Sequence, residues 1–446
     1  GQTNYFTAEM VVGLPTTTVA GKETEAYVDF VGGMNYLGDW LGIGRGNGTT
    51  TTAPAGLSSR VTIYNGYVRV SNLSMGYSAN ISGYNARPVL DLFGGALDIV
   101  SAMRIGDHAG GHPTLNLYGG TAKAASYISG IYGATDARIN MYSNAVLEIT
   151  GSCNLASNSG TVCTLALHGG TFKARGVFAR PSGATAKVYF NGGRFMARAS
   201  GGEGIGASVQ AVVSTNGACF DTQSYTFLVY PPLAHDAALG EAADAGLVKN
   251  GSGTLVLVAT NTYTGPTLLS NGVLSVNGKL PAATALSVLP GARLALTNGL
   301  AAQTVGSLTF GAANTVTSWD LALAASGGTS GKLTVSGTLT AAGANPLKVW
   351  FYTAGTGAGV SANGTYTLME YPTACAGAIN PLSVVIGNPV SGKLYTFGTV
   401  DSGANTLLQV TVGDGPAGDV WINAAGGAWT TGSNWQGGTP VNAAGA

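Results

Sequence analysis

The sequence predicts an all-β fold, a parallel β-helix (β-solenoid) with coils of about 25 residues. Three observations predict it. One short pattern recurs eight times: an alternating apolar strand, a turn rich in Gly or Asn, then a second strand, as in VTIYNGYVRVS, LDLFGGALDIV and LNLYGGTAKAA. The pattern holds a nearly constant period. The composition is rich in Gly (70 of 446 residues) and poor in charge (9%), where an ordinary domain carries roughly 7% Gly and 25% charge.

The second turn residues are Gly33, Gly66, Gly95, Gly120, Asn144, Gly170, Gly193 and Gly217, spaced 33, 29, 25, 24, 26, 23 and 24 residues apart. The long first spacing contains the polar insert GNGTTTTAPAG at 46–56, a surface loop by composition. Residues 1–23 read as an N-terminal cap or edge segment and 24–232 as about eight coils. Period-2 alternation gives the columns of the core. Val28, Val61, Leu90, Leu115, Ile139, Leu165 and Val188 form one; Phe30, Ile63, Leu92, Leu117, Met141, Leu167 and Phe190 form the next. A third, after the turn, is Val68, Leu97, Ala122, Val146, Phe172, Phe195 and Cys219. A sandwich of hairpins is the competing architecture, since an NG or GG turn also closes a hairpin. It would give no reason for one period over eight turns.

On the outside, one column runs Val31, Tyr64, Phe93, Tyr118, Tyr142, His168, Asn191. Rings about 4.8 Å apart along the axis serve either as cross-strand support or as a contact strip for a sister subunit or a sugar chain.

Composition excludes several functions. With 20 Lys+Arg against 20 Asp+Glu, there is no basic footprint for nucleic acid. No apolar run is long enough for a membrane-spanning helix, and GQTNYFTAEM does not read as a signal peptide, as expected of a mature, processed chain. Cys153 and Cys163 are candidates for a local disulfide or for two buried free thiols, while Cys219 and Cys375 read as small core residues. An enzyme on this fold needs clustered carboxylates, or a basic residue beside acids on adjacent coils. In the outward column Asp29, Thr62, Asp91, Asn116, Asn140, Ala166 the two acids are two coils apart, near 10 Å, with no third acid beside them. GDHAGGH, with Asp107, His108 and His112, is a weak metal motif better read as a polar loop. No catalytic residue, cofactor or metal is expected.

After Pro231 and Pro232 the texture changes. Residues 233–245 read as an Ala-rich, acidic linker, and 246–412 as further coils. At 246–278 the chain reads GLVKNGSGTLVLVATNTYTGPTLLSNGVLSVNG. Lys249, the GSGTLVL strand, the NTYTG turn at 261–265 and the closing GVLSVNG resemble the passenger-associated repeat of autotransporter-type surface proteins. That resemblance implies a parallel β-helix segment, secreted and displayed on a bacterial cell surface. The residues themselves need no chemistry: Leu255, Leu257, Leu268, Val273 or Leu274, and Val276 face a core, and Asn261, Thr262 and Thr264 hold a turn beside Gly265-Pro266. Fainter resemblance continues through GTYTLMEY at 364–371 to the Trp-rich tail 413–446, with Trp421, Trp429 and Trp435. Autotransporters end in a membrane barrel of about a dozen strands, and no such run is read here; either it is cleaved away or the anchoring differs.

The functional expectation is a non-enzymatic extracellular structural protein that self-associates head to tail as a cell-surface or filament subunit, the tail laid on a neighbour's first coil. The alternative is an adhesin that holds a glycan with the strip Tyr64, Phe93, Tyr118, Tyr142 and His168.

Overall fold

The computed structural model describes residues 3–13, 25–44, 58–77, 87–107, 110–130, 135–179, 183–199, 204–297, 302–311, 319–326, 329–341 and 346–415. It divides into two compact units, Gly1–Gly265 and Pro266–Ala446.

The first unit is a parallel β-solenoid. One sheet stacks Glu25–Phe30, Ser58–Ile63, Val89–Leu92, Thr114–Leu117, Asp136–Met141, Val162–Leu167, Thr185–Phe190, Val209–Val213 and Leu233–His235, each parallel to the next. Leu90 sits opposite Leu115, one coil on, and not in a hairpin with Leu117. The solenoid is therefore right and the sandwich wrong. Two of the three columns follow the expected register from end to end, Val28–Val61–Leu90–Leu115–Ile139–Leu165–Val188 and Phe30–Ile63–Leu92–Leu117–Met141–Leu167–Phe190. Each strand alone could bury only one face of a few side chains; stacking joins them into one core.

The second sheet, past the corner, departs from expectation in one column. Ala122 pairs with Leu147, Leu147 with Phe172, and Phe195 with Phe220. Val146 and Cys219 were expected there, but they stand one residue aside, opposite Thr121 and Arg194. The reason lies in the corners. Three residues separate Leu117 from Thr121, whereas four separate Met141 from Val146 and Val213 from Ala218. The extra residue is absorbed in the turn, where Ser143 takes φ +45°. A one-residue shift swaps the buried and exposed faces.

The corner glycines have a steric cause. Gly95 has φ +71°, and a Cβ there would lie 2.1 Å from Gly66 O in the preceding coil. Only glycine fits a left-handed turn stacked so closely on another.

Thr3–Phe6 and Met10–Val12 pair parallel with Met34–Ile43, so these strands form an edge of the stack. One other segment of the first unit differs from its expected role. Leu233–His235, expected as linker, is the last strand of the first sheet, followed by a 3-10 turn, Ala237–Leu239.

The second unit contains shorter parallel stacks. Thr267–Leu269, Ala285–Val288, Ser307–Phe310 and Leu339–Ala341 form one; Val273–Val276, Arg293–Leu296, Trp319–Ser326 and Leu347–Thr353 form another. Within them Leu269 and Leu274 are fully buried, so the inward position at 268–269 is Leu269 rather than Leu268. The parallel order ends at Gly364–Pro372. That strand pairs antiparallel with Asn405–Asp414, which pairs antiparallel with Lys393–Asp401. Coils were expected up to 412; three antiparallel strands in the order 364–372, 405–414, 393–401 stand there instead. No helix among the described residues is long and apolar enough to cross a membrane.

Candidate functional site

The expected strip forms a ladder of rings on the outside of the first unit. Tyr64 and Phe93 stack at 5.5 Å, Phe93 and Tyr118 at 4.7 Å, Tyr118 and Tyr142 at 5.1 Å, and Tyr142 and His168 at 5.2 Å. Interplanar angles of 9–11° make the rings near-parallel, so each inner ring is flanked by a ring on both sides, while Phe93 and Tyr118 stay 47% and 39% exposed. The ladder ends at Asn191, whose Nδ2 donates to His168 Nδ1 at 3.2 Å. Partial burial pulls the His168 pKa below the usual imidazole value, which keeps the ring neutral at pH 7 and suited to stacking.

Two further ladders run beside it. Asn140 Nδ2 donates to Asn116 Oδ1 and Asn116 Nδ2 to Asp91 Oδ1, at 2.9 and 2.8 Å. Asp91 also faces Arg60 Nε at 3.0 Å, so this buried acid is held in a network with its neighbours. On the second sheet, Arg69, Asp98, Lys123, Glu148 and Lys173 occupy one outward column in register. The charge alternates at every coil. In-register stacking sets each side chain about 4.8 Å from the same position of the next coil, where like charges repel. That alternation is present in the sequence at the third position of each of these strands, and becomes visible only once the register is known.

The acidic segment before the repeat forms a clamp. Asp244 is buried, and its Oδ1 accepts from Gly246 N (2.8 Å) and Gly265 N (2.9 Å). Its Oδ2 accepts from Thr264 N (2.8 Å) and Thr264 Oγ1 (3.1 Å) and lies 2.7 Å from His235 Nδ1. Burial opposes ionisation of this carboxyl, but hydrogen bonds from His235 and the three N–H groups outweigh it and hold the pKa below the usual range. The same bond to Asp244 raises the His235 pKa. Asn261 Oδ1 accepts from Leu233 N at 3.0 Å, and Tyr263 is buried. The NTYTG turn is thus fastened to the preceding coil at both ends. Gly265 is required by contact, since a Cβ would lie 2.3 Å from Asp244 O. Asp244 and His235 escaped notice in the sequence because 20 and 29 residues separate them from Thr264.

Lys249 lies in the inward register of Phe220, fully buried, and its Nζ donates to Asn250 O and Gly251 O, both at 2.8 Å. Burial, opposed by the Asp221 carboxylate, pushes its pKa down from 10.5 to about 8. Between those values the unfolded chain binds more protons at this side chain than the folded one, so Lys249 contributes a rise in stability from pH 8 toward 10, against the fall that the buried thiols, raised from 9.0, contribute above pH 9. In urea titrations at pH 8 and 9.5, Lys249→Met should therefore change toward lower stability relative to wild type as pH rises; an equal change in both proteins would remove Lys249 as a contributor.

The disulfide candidate is corrected. Cys153 and Cys163 are free, buried thiols. They sit in different sheets, Cys153 opposite Tyr127 and Cys163 between Ala137 and Ala186. Tyr127 Oη lies 3.3 Å from Cys163 Sγ, and burial pushes the Cys163 pKa up to about 12. His108 and the tail residues Trp421, Trp429 and Trp435 lie outside the described residues. His112 Nδ1 faces Asp136 at 3.5 Å, while Asp107 accepts from Ser74 Oγ. Among the described residues no group of three His, Cys, Asp or Glu is placed to hold a metal ion.

Comparison with known protein families finds a similarity in the region of the clamp. Residues 247–276 match the family described as Passenger-associated-transport-repeat. The match ends at Val276, two residues short of the stretch read from the sequence, and takes in Lys249 and the clamped NTYTG turn. No curated protein matches the chain. The chain is thus an all-β solenoid-like structure carrying an autotransporter-repeat fragment.

Proposed function

We propose that this chain is a non-enzymatic, extracellular structural module of a cell-surface protein, and that it self-associates end to end. One observation carries the reading: the outward side chains of the first unit are joined coil to coil in ring, amide and alternating-charge ladders, an arrangement that stiffens a rod. The match to the passenger repeat supports surface display. The Trp-rich tail is the segment proposed to make the join. Electron microscopy and sedimentation of the chain beside a version ending at Gly415 test it, the cut lying beyond the strand that runs to Asp414. Filaments from the long form alone support the join; no filaments from either overturn it.

The adhesin reading uses the same ladder as a glycan platform. Aromatic recognition of a sugar needs an open ring face, and here each inner ring is already flanked by a ring on both sides. Phe93→Ala/Tyr118→Ala/Tyr142→Ala is therefore expected to lower stability, at about 0.5–1.5 kcal/mol per lost ring pair, with assembly unchanged. Loss of binding on a glycan array, with melting unchanged, would instead favour the adhesin.

A further inference from the structure

We infer that the strand Lys393–Asp401 is a self-complementary edge, on which a second copy of this chain pairs antiparallel about a two-fold axis through Phe397. The contact rests on the self-association proposed above only in taking a second copy as the partner. Its surface is different, and it closes a dimer where an end-to-end join propagates.

The strand has Asn405–Asp414 on one side and, among the described residues, no strand on the other. It is nine residues long, KLYTFGTVD, with no proline and with charge only at its two ends. Natural edges of this length are usually blunted by internal lysine, proline or a bulge. This one carries none of them, and pairs with its neighbour in unbroken register.

The sequence of the edge reads symmetrically about its centre. Antiparallel pairing with a copy of itself, centred on Phe397, sets Lys393 opposite Asp401 at both ends. Leu394 then meets Val400, side chains that are 40% and 47% exposed. Tyr395 meets Thr399, and Phe397 meets its own copy. The faces agree as well. Tyr395 and Phe397 lie opposite the buried Val412 and Val410 on the inner face, so a second Phe397 would extend that apolar row. Leu394 and Val400 lie together on the outer face. Facing side chains in such a pair approach to about 5 Å. The end charges add to a cluster already present, since Lys393 Nζ donates to Asp414 Oδ1 (2.6 Å) and Asn363 Oδ1 (2.8 Å). Main-chain bonds along the strand would supply affinity, and the end charges the register.

The test is sedimentation velocity on the full chain at low salt, where surface charge acts most strongly. The wild type should form a dimer. Asp401→Lys sets like charges opposite each other at both ends and should raise the dimer dissociation constant about tenfold or more. Lys393→Glu/Asp401→Lys should restore it. Phe397→Cys, treated with diamide, should cross-link to a 397–397 disulfide dimer, while Val31→Cys, at a site 71% exposed in the first unit, should not. A chain that stays monomeric, a dimer equally tight in Asp401→Lys, or no 397–397 cross-link each overturns the proposal. All four variants keep the tail, so filaments lost on cutting at Gly415 with this dimer intact would implicate the tail alone.

Discussion

Leu117→Asp is expected to lower the stability of the first unit by about 4 kcal/mol or more. Leu117 is fully buried, opposite Leu92 on one side and Met141 on the other. A carboxylate there has no partner, and it also separates the two halves of a core that exists only through stacking. Because a buried acid escapes by taking up a proton, the loss should be smaller at pH 4 than at pH 7. Thr121→Asp, at an exposed position of the same coil, should stay within about 0.5 kcal/mol of wild type. Urea unfolding followed by circular dichroism decides it; equal midpoints for the two variants would remove Leu117 from the core column.

The second large effect is expected at the clamp. Asp244→Ala should cost about 3 kcal/mol, since it strands the N–H groups of Gly246, Thr264 and Gly265 in a buried place. Glu241→Ala, on an exposed residue of the same segment, should be nearly neutral. Hydrogen exchange should speed up first at those three amides, before any global change. The clamp also sets a pH window. Asp244 has a folded pKa below its unfolded 3.8, so its contribution is present above that value and is lost as pH falls through the folded one. His235 has a folded pKa above 6.5, so its contribution is complete below 6.5 and fades as pH rises through the folded value. The clamp is therefore strongest between about pH 4 and 6.5, and Asp244→Ala should flatten the profile across both edges. A mutant profile that kept both edges would assign them to other groups.

Much of the first unit was legible in the sequence because a solenoid repeats one local decision. Alternation told which of Leu90, Asp91 and Leu92 turn inward, and a period near 25 residues told which coil lies beside which. The ring ladder followed from the same count, one turn position read down the chain. Val146 and Cys219 fall one residue outside that count because the turns before them hold an extra residue. Strand register is kept by the paired backbone, so the surplus is pushed into the corner, and an anchor placed in the corner reads one residue out.

By itself, the sequence determined the parallel β-helix, two of its three core columns, the outward rings and the passenger-type repeat, since each is a pattern written at short range or at a fixed period. Only the tertiary structure decided the partners that no period links. Asp244 reaches Thr264 and Gly265 across a coil, Cys153 and Cys163 part into two sheets, and Lys249 turns inward to cap the carbonyls of Asn250 and Gly251. The antiparallel end of the second unit belongs with these. Strands 364–372, 393–401 and 405–414 alternate as any half-buried strand does, and alternation is the same for parallel and antiparallel neighbours. The direction of pairing is set by how the connecting chain closes, and that closure is a property of the folded unit.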